Sequence, residues 1–161
     1  MRSILLPLLG TALFIVLLGV FGAKLGNGHI INPLAEEPKK DIRVGNTSLK
    51  ATLANDEEER KTGLSGKSTL ADDEGLLFVF DKMDVYPSFW MKDMLIPIDI
   101  IWINDGKVTK IDKNLTPPAK DSLDSELKLY YPEKPIDYVL EVNAGFSDKN
   151  GLKVGDSVSG I

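Results

Sequence analysis

The fold of this chain is constrained most by one apolar stretch, Phe89–Ile103 (FWMKDMLIPIDIIWI), which contains both tryptophans of the sequence. Side chains of a β-strand alternate between the two faces of the sheet. After the proline of this stretch, the even-numbered residues from Ile98 would therefore share one face, and Asp99 would share the other with two isoleucines. Because both faces are apolar, residues 97–103 predict a central strand that is buried on both sides.

Asp99 is the one acid within this predicted buried strand. A buried carboxylate needs an ion pair or hydrogen bonds, or else it takes up a proton. The expected partners are Arg60, at the end of a predicted helix, and Lys92, one loop earlier. One interpretation is a structural pair that fixes the loop 92–95, and the other is a functional carboxylate in a pocket.

Trp90 and Met91 are neighbours in a short predicted strand, so they must point to opposite faces. An aromatic side chain is the better candidate for the core, which favours Trp90 inside. If Trp90 is instead exposed beside Lys92, it offers a stacking surface for a ligand ring. The residues that the sequence indicates for binding are Arg60, Trp90, Met91, Lys92, Asp93 and Asp99.

The rest of the domain reads as short strands joined by turns. Residues 42–53 alternate around Gly45-Asn46 and predict a hairpin, and residues 75–80 predict a strand buried on both faces. Asn104-Asp105-Gly106 predicts a turn into a return strand over residues 107–112. Two further strands are expected over residues 136–143 and 157–161. Residues 113–135 form a long connection with four prolines, and its length is typical of a functional or mobile loop.

Two short helices are expected between the strands. The first covers residues 55–62, with Asn55 as N-cap, Glu58 three residues later and Gly63 as the stop. The second covers residues 144–150. The predicted fold class is mainly β, a compact antiparallel β-sandwich or barrel with two short helices.

Residues 3–23 carry no charge, and about 20 apolar residues suffice to span a bilayer as a helix. A signal peptide has a shorter apolar region of roughly 7–15 residues, so we expect an uncleaved transmembrane anchor in residues 1–24. The short positive tail before it favours a domain outside the cytoplasm. If the segment is cleaved, the protein is secreted. In either case we expect residues 25–40 to form a linker and residues 41–161 to form the β domain.

The residue inventory excludes several kinds of chemistry. The chain has no cysteine, and its one histidine, His29, lies in the linker. A thiol nucleophile, a Ser-His-Asp triad and a histidine-based metal site in the domain are therefore excluded, and we expect no metal or cofactor. Residues 41–161 carry 15 Lys and Arg against 22 Asp and Glu, a net charge near −7. Such a charge argues against nucleic acid as a partner.

Glu141 lies in YVLEVN, where strand alternation predicts a side chain on a solvated face. A second interpretation pairs it with Asp99, because glycoside hydrolysis uses two carboxyl groups that lie about 5–9 Å apart.

Five segments of the chain resemble one known family in order and spacing. They are Gly63–Gly66 (GLSG), Gly75–Phe80 (GLLFVF), Phe89–Lys92 (FWMK), Ile96–Ile100 (IPIDI) and Tyr138–Glu141 (YVLE). The family is domain of unknown function 192 (DUF192), and the resemblance covers about residues 42–160. It implies a compact, mainly β fold and no activity. Its members often carry an N-terminal apolar segment, as this chain does.

The sequence departs from the family pattern at two places. The pattern usually reads GML where this chain has Gly75-Leu76-Leu77, and WMKNT where it has Trp90–Met94 (WMKDM). The side-chain amide and hydroxyl of the second pattern are therefore absent from this chain.

Two functional hypotheses follow. The first is a non-enzymatic, membrane-tethered extracytoplasmic module that contacts the bilayer through residues 3–23 and binds a small ligand, a glycan or an envelope protein. A purely structural role in an envelope complex has the same sequence signature. The alternative is a carboxylate-based hydrolase acting on cell-envelope polymer, which requires Asp99 and another acid in one open cleft.

Overall fold

The computed structural model describes residues 38–161, which contain nine strands, two α-helices and one 3₁₀ helix. In chain order the elements are β1 (Lys39–Val44), β2 (Thr47–Ala54), α1 (Glu57–Thr62), β3 (Glu74–Val79), β4 (Phe89–Trp90), β5 (Ile98–Asn104), β6 (Lys107–Leu115), a 3₁₀ helix (Asp124–Glu126), β7 (Leu129–Tyr130), β8 (Tyr138–Asn143), α2 (Phe146–Lys149) and β9 (Val158–Ser159). The expected strands and both expected helices are present.

Seven strands form one sheet in the order β6-β5-β8-β3-β2-β1-β9. The sheet curls until its two ends almost meet. There the backbone N–H of Val108 in β6 donates to Asp156 O, just before β9, at 2.9 Å. The backbone N–H of Val158 donates in turn to Gly106 O at 2.7 Å. The architecture is therefore a nearly closed, barrel-like sheet with two short helices, which confirms the predicted fold class.

One strand pair departs from the expected antiparallel arrangement. β2 and β3 are parallel, with Ala51 opposite Gly75, whereas the other neighbours in the sheet are antiparallel. Parallel neighbours need a crossover connection rather than a tight turn. Residues 55–73, which include α1, form that crossover and return the chain to the same end of the sheet.

The two faces of the sheet carry separate apolar clusters. The inner cluster draws residues from β1, β2, β3, β5, β6, β8, β9 and α2, and it fills the barrel. The outer cluster lies on β3, β5 and β8 and includes Trp102, Phe78 and Val139. Long connections cover it, with Leu64 from one and Met91 from another. Consequently every residue of β5 from Ile98 to Ile103 is buried, as the apolar character of both its faces predicted.

Local turn and cap signals explain where several elements begin and end. Asp105 and Gly106 take φ values of 47° and 62°, which suit the two-residue turn between β5 and β6. At α1 the N-cap is Asp56 and its capping-box partner is Glu59. The expected N-cap Asn55 was therefore wrong by one residue. Gly63 ends α1 with a φ of 52°, as predicted.

Several element bounds differ from the prediction. β6 continues three residues beyond 112, to Leu115. α2 is shorter than expected, since Gly145 precedes it in a left-handed conformation. The expected transmembrane helix over residues 3–23 lies outside the described residues. Within residues 38–161 no helix is both long and apolar enough to cross a membrane.

Asp99 lies on the inner face of β5, at the end of the barrel that α2 covers. It is completely buried, and its carboxylate accepts three backbone N–H donors: Asn114 at 2.8 Å, Gly145 at 3.2 Å and Ser147 at 2.9 Å. The expectation that Arg60 or Lys92 is its partner was wrong. Both basic residues lie in the connections that cover the outer face, on the other side of the sheet from Asp99.

We expect Asp99→Asn to lower the free energy of unfolding by about 2–4 kcal/mol. An amide has one acceptor oxygen, and its NH₂ group would face an N–H donor that the carboxylate now satisfies, leaving a buried donor without a partner. Chemical denaturation monitored by circular dichroism measures the change. The exposed Asp121→Asn is the matched control and should stay within about 0.5 kcal/mol of wild type. Equal stability of the two variants would contradict a structural role for Asp99.

Candidate functional site

The six residues that the sequence indicates for binding lie in four separate environments. Arg60 and Trp90 border one cavity, and Lys92 and Asp93 border a second. Met91 is buried in the outer apolar cluster, and Asp99 is buried at the inner end of the barrel. The structure therefore brings Arg60 and Trp90 together at one site and assigns Met91 and Asp99 to the core.

Trp90 and Met91 point to opposite faces as expected, but the choice of which faces the core was wrong. Met91 is buried, whereas Trp90 is 49% exposed. Phe89 already fills the core side of β4, packing edge-to-face on Phe78 at 4.8 Å and on Trp102 at 5.4 Å between ring centroids. β4 pairs with β7, which sets Trp90 opposite Leu129 at the edge of the cavity.

Arg60 is held in a fixed position on α1. Its guanidinium donates to the backbone oxygens of Asn55 at 2.9 Å and Val79 at 2.8 Å, and it lies 3.4 Å from the carboxylate of Asp81. These contacts tie the end of α1 to the end of β3. They also compensate much of the charge that Arg60 brings to the rim of the cavity.

Glu141 is the functional candidate whose environment the sequence interpretation missed. It lies opposite Leu76 of β3 and Ile100 of β5, and only 4% of its surface is exposed. The expectation of a solvated strand face was wrong, because the chain after α1 covers this part of the outer face. A Cβ atom at Gly63 would lie 3.8 Å from Glu141 Oε2.

The carboxyl group of Glu141 lacks a compensating contact. Its Oε2 is buried and has no hydrogen-bond partner among residues 38–161. Burial raises the pKa of Glu141 from 4.5 to about 8, since a charged carboxylate is disfavoured in a low-dielectric environment. At neutral pH the group is therefore mainly a neutral acid that can both donate and accept a hydrogen bond.

The burial of Glu141 follows from the position of its strand in the sheet and not from the alternation within the strand. YVLEVN occupies the strand between β3 and β5, and both neighbours are apolar on two faces. A strand between two such neighbours is itself covered on both faces, whatever its own alternation suggests. The sequence alone did not reveal that order of strands.

Glu141 forms part of the wall of a cavity of about 460 Å³ between α1 and β4. Four aromatic residues line it, together with the end of α1 and the following turn. Among residues 38–161 the lining consists of Glu57, Arg60, Lys61, Thr62, Gly63, Leu64, Ser65, Phe78, Phe80, Pro87, Ser88, Phe89, Trp90, Met94 and Glu141. A cavity of this size that combines aromatic and polar side chains is typical of small-molecule sites.

The second cavity, of about 440 Å³, has a different character. It lies beneath the long connection, between Lys92–Leu95 and residues 117–127. Lys92 Nζ lies 2.6 Å from Asp124 across it, and this hydrogen bond raises the pKa of Lys92. Asp93 has a φ of 56°, a left-handed conformation that shapes the loop. Among the described residues that line this cavity, Asp93, Lys120 and Asp124 are exposed, and no buried side-chain polar atom lacks a hydrogen-bond partner.

The acidic residues of the described range do not assemble a metal site. Within residues 38–161 no group of three or more His, Cys, Asp or Glu side chains is placed to hold a metal ion.

We expect Glu141 to make stability fall as pH rises. Its pKa is 4.5 when unfolded and about 8 when folded, so between these values the folded protein holds one more proton than the unfolded chain. The free energy of unfolding then falls by about 1.4 kcal/mol per pH unit. The stabilising contribution is fully present below pH 4.5 and is lost as pH rises through about 8.

Urea denaturation across that pH range measures the effect as the difference between wild type and Glu141→Gln. The variant should lack this slope and be the more stable protein at the alkaline end. Glu57→Gln, on the rim of the same cavity, is the control and should keep the wild-type slope. Parallel profiles of wild type and Glu141→Gln would show that Glu141 ionises normally.

Comparison with solved structures identifies the same fold in two bacterial proteins. One, from Sinorhizobium meliloti, carries the suggested role of transcription regulator. It is 29% identical, with a TM-score of 0.69 over 78% of this chain and 96% of its own. The other is a protein of unknown function from Novosphingobium aromaticivorans. It is also 29% identical, with a TM-score of 0.69 over 79% of this chain and 89% of its own.

No curated protein matches this chain. The family model described as DUF192, uncharacterized ACR, matches residues 40–160, which is nearly the whole described range and agrees with the resemblance of the five sequence segments. The chain therefore belongs to the DUF192 family.

Proposed function

We propose that this protein is a non-enzymatic binding module whose small-molecule ligand occupies the cavity beside Glu141 and Trp90, and that residues 3–23 tether it to the membrane with the domain outside the cytoplasm. The observation that carries the binding role is Glu141 Oε2, a buried polar atom in the wall of a 460 Å³ cavity that has no hydrogen-bond partner among residues 38–161. A buried polar group without a hydrogen bond costs free energy, and a ligand that supplies the bond recovers it.

The shape of the site favours a small ligand over a glycan or an envelope protein. The polar group lies on an inner wall and not on an open surface, so a ligand must enter to reach it. Trp90 stands at the edge with half its surface exposed and can stack on a ligand ring. These two residues offer one hydrogen bond and one apolar contact, which is a common recognition pattern for small molecules.

The carboxylate-pair hydrolase receives no support from the geometry. In the register of β5 and β8, Asp99 lies opposite Val142, and Ile100 lies opposite Glu141. The two acids consequently point to opposite faces of the sheet, with the sheet itself between them. Asp99 is also fully buried and bound to three backbone N–H groups, so it has no open cleft in which to act.

The charge of this chain does not favour a nucleic-acid partner. Its β domain carries 15 basic and 22 acidic residues, and nucleic-acid binding draws much of its affinity from basic residues that replace counterions. The uncharged segment 3–23 and the linker that follows support a membrane tether instead.

We expect compounds from a diverse small-molecule library to bind at the cavity and raise the melting temperature. Affinities should then be measured by calorimetry for wild type, Trp90→Ala and Val154→Ala. Loss of a stacking surface should weaken binding by about tenfold in Trp90→Ala. Val154→Ala removes an exposed apolar side chain outside the cavity lining, so it should bind as wild type does. Failure of all compounds, or equal binding to both variants, would contradict this site.

We expect the full chain to fractionate with membranes and to be digested by protease added to cells whose outer layers have been opened. The apolar segment supplies the membrane affinity, so a variant that lacks residues 1–37 should be recovered in the soluble fraction. Protection from protease until the cell membrane is lysed would place the domain in the cytoplasm and contradict the proposed orientation.

A further inference from the structure

We propose that the ligand of this cavity is an organic cation, an ammonium group on an apolar body, whose charge pairs with the carboxylate of Glu141 while the body packs against the aromatic wall. This inference rests on the proposed binding function and names the chemical class of its ligand. Three features support an organic cation: the position of Glu141, the balance of charges around the cavity, and the aromatic residues that line the cavity.

Charges at the rim of the cavity largely balance one another. The charged lining residues besides Glu141 are Glu57, Arg60 and Lys61, and all three lie on α1. Arg60 is bound to two backbone oxygens and to Asp81. Glu57 and Lys61 are exposed and four residues apart on one helix, where opposite charges attract.

The other segments that line the cavity contribute no charge. The strand β3, residues 87–90 and Met94 supply apolar and hydroxyl side chains, so Glu141 is the one buried ionisable group in the described lining. Among the described lining residues, a ligand that reaches this wall therefore meets a buried acid, since Arg60 is already bound to Asp81 and two backbone oxygens and Lys61 is exposed.

An acid in this position discriminates by the charge of the ligand. An anion would lie next to a carboxyl group in a low-dielectric environment and would be repelled as soon as Glu141 ionised. A cation supplies a countercharge for the ionised carboxyl group and so lowers the pKa of Glu141. Binding then converts the neutral acid into a carboxylate, and the proton leaves to solvent.

The aromatic lining suits a cation with an apolar body. Phe78, Phe80, Phe89 and Trp90 line the cavity, and aromatic rings attract ammonium groups through their electron-rich faces. A volume of about 460 Å³ exceeds what a bare ammonium ion fills, so the ligand must carry further apolar groups.

The competing ligand class is a neutral ring compound that accepts a hydrogen bond from protonated Glu141. The two classes differ in their dependence on pH. A cation needs the carboxylate, so its affinity should rise about tenfold per pH unit below the pKa of Glu141 and level off above it. A neutral acceptor needs the protonated acid, so its affinity should be level below the pKa of Glu141 and fall about tenfold per pH unit above it.

Benzyltrimethylammonium and benzyl alcohol are suitable probes, because they share a ring and the first keeps its charge at every pH. Calorimetric titration of the whole protein with each probe, repeated across the pH range, gives the two profiles. We expect the cation to bind more tightly than the alcohol, with affinity that increases with pH. Titration in buffers of different ionisation enthalpy should show about one proton released per cation bound below the pKa of Glu141.

Glu141→Gln and Glu58→Gln are the matched variants. Glu141→Gln should weaken binding of benzyltrimethylammonium by about tenfold or more and abolish its pH dependence, since the charge partner is gone. Glu58→Gln removes an exposed acid of α1 that does not line the cavity, so it should keep both the affinity and the pH profile. Circular dichroism of each variant confirms that it is folded.

Three results would overturn the cation assignment. They are absence of binding by benzyltrimethylammonium, tighter binding of benzyl alcohol with an affinity that falls as pH rises, and unchanged cation binding in Glu141→Gln. In each case the proposed binding function still stands if library compounds bind in a manner that depends on Trp90. If no compound binds at all, both proposals fail together.

Discussion

Burial of the central strands on both faces is the constraint on which the rest of this structure depends. The curled sheet fills its own interior with side chains, but the outer face of β3, β5 and β8 needs cover from elsewhere. The crossover with α1, the segment before β5 and the long connection before β8 provide it. Since three separate segments form that cover, gaps remain between them, and both cavities lie at such gaps.

Asp99 and Glu141 show how strongly the face of a sheet determines the chemistry of an acid. They lie on adjacent strands and only one position apart in the pairing register. On the inner face Asp99 meets three backbone N–H groups, one from the end of β6 and two at the start of α2. On the outer face Oε2 of Glu141 meets no donor among the described residues, and burial raises the pKa of its carboxyl group.

The elements of the fold were largely predictable, because hydrophobic alternation and turn residues are local signals. Ile98–Ile103 read correctly as a buried central strand, and Gly63 as the end of α1. The candidate site was much less predictable. The alternation of side chains along a strand predicts that Trp90 and Met91 point to opposite faces, but only the pairing of β4 with β7 determines which of them is buried. The partners of Asp99 and the burial of Glu141 depend on strand order, which no local pattern encodes.

A buried acid that must stay neutral does not stabilise the fold at neutral pH. Glu141 must hold a proton to stay buried, so at neutral pH it lowers the free energy of unfolding of the ligand-free protein. Replacing this carboxyl group should therefore stabilise the fold above the ordinary pKa of glutamate. Local sacrifices of stability of this kind are expected where a protein binds or reacts. Here the loss of stability is confined to one carboxyl group beside four aromatic residues, while Arg60 at the rim is already bound to Val79 O and Asp81. The simplest compensation is a ligand that brings the missing positive charge.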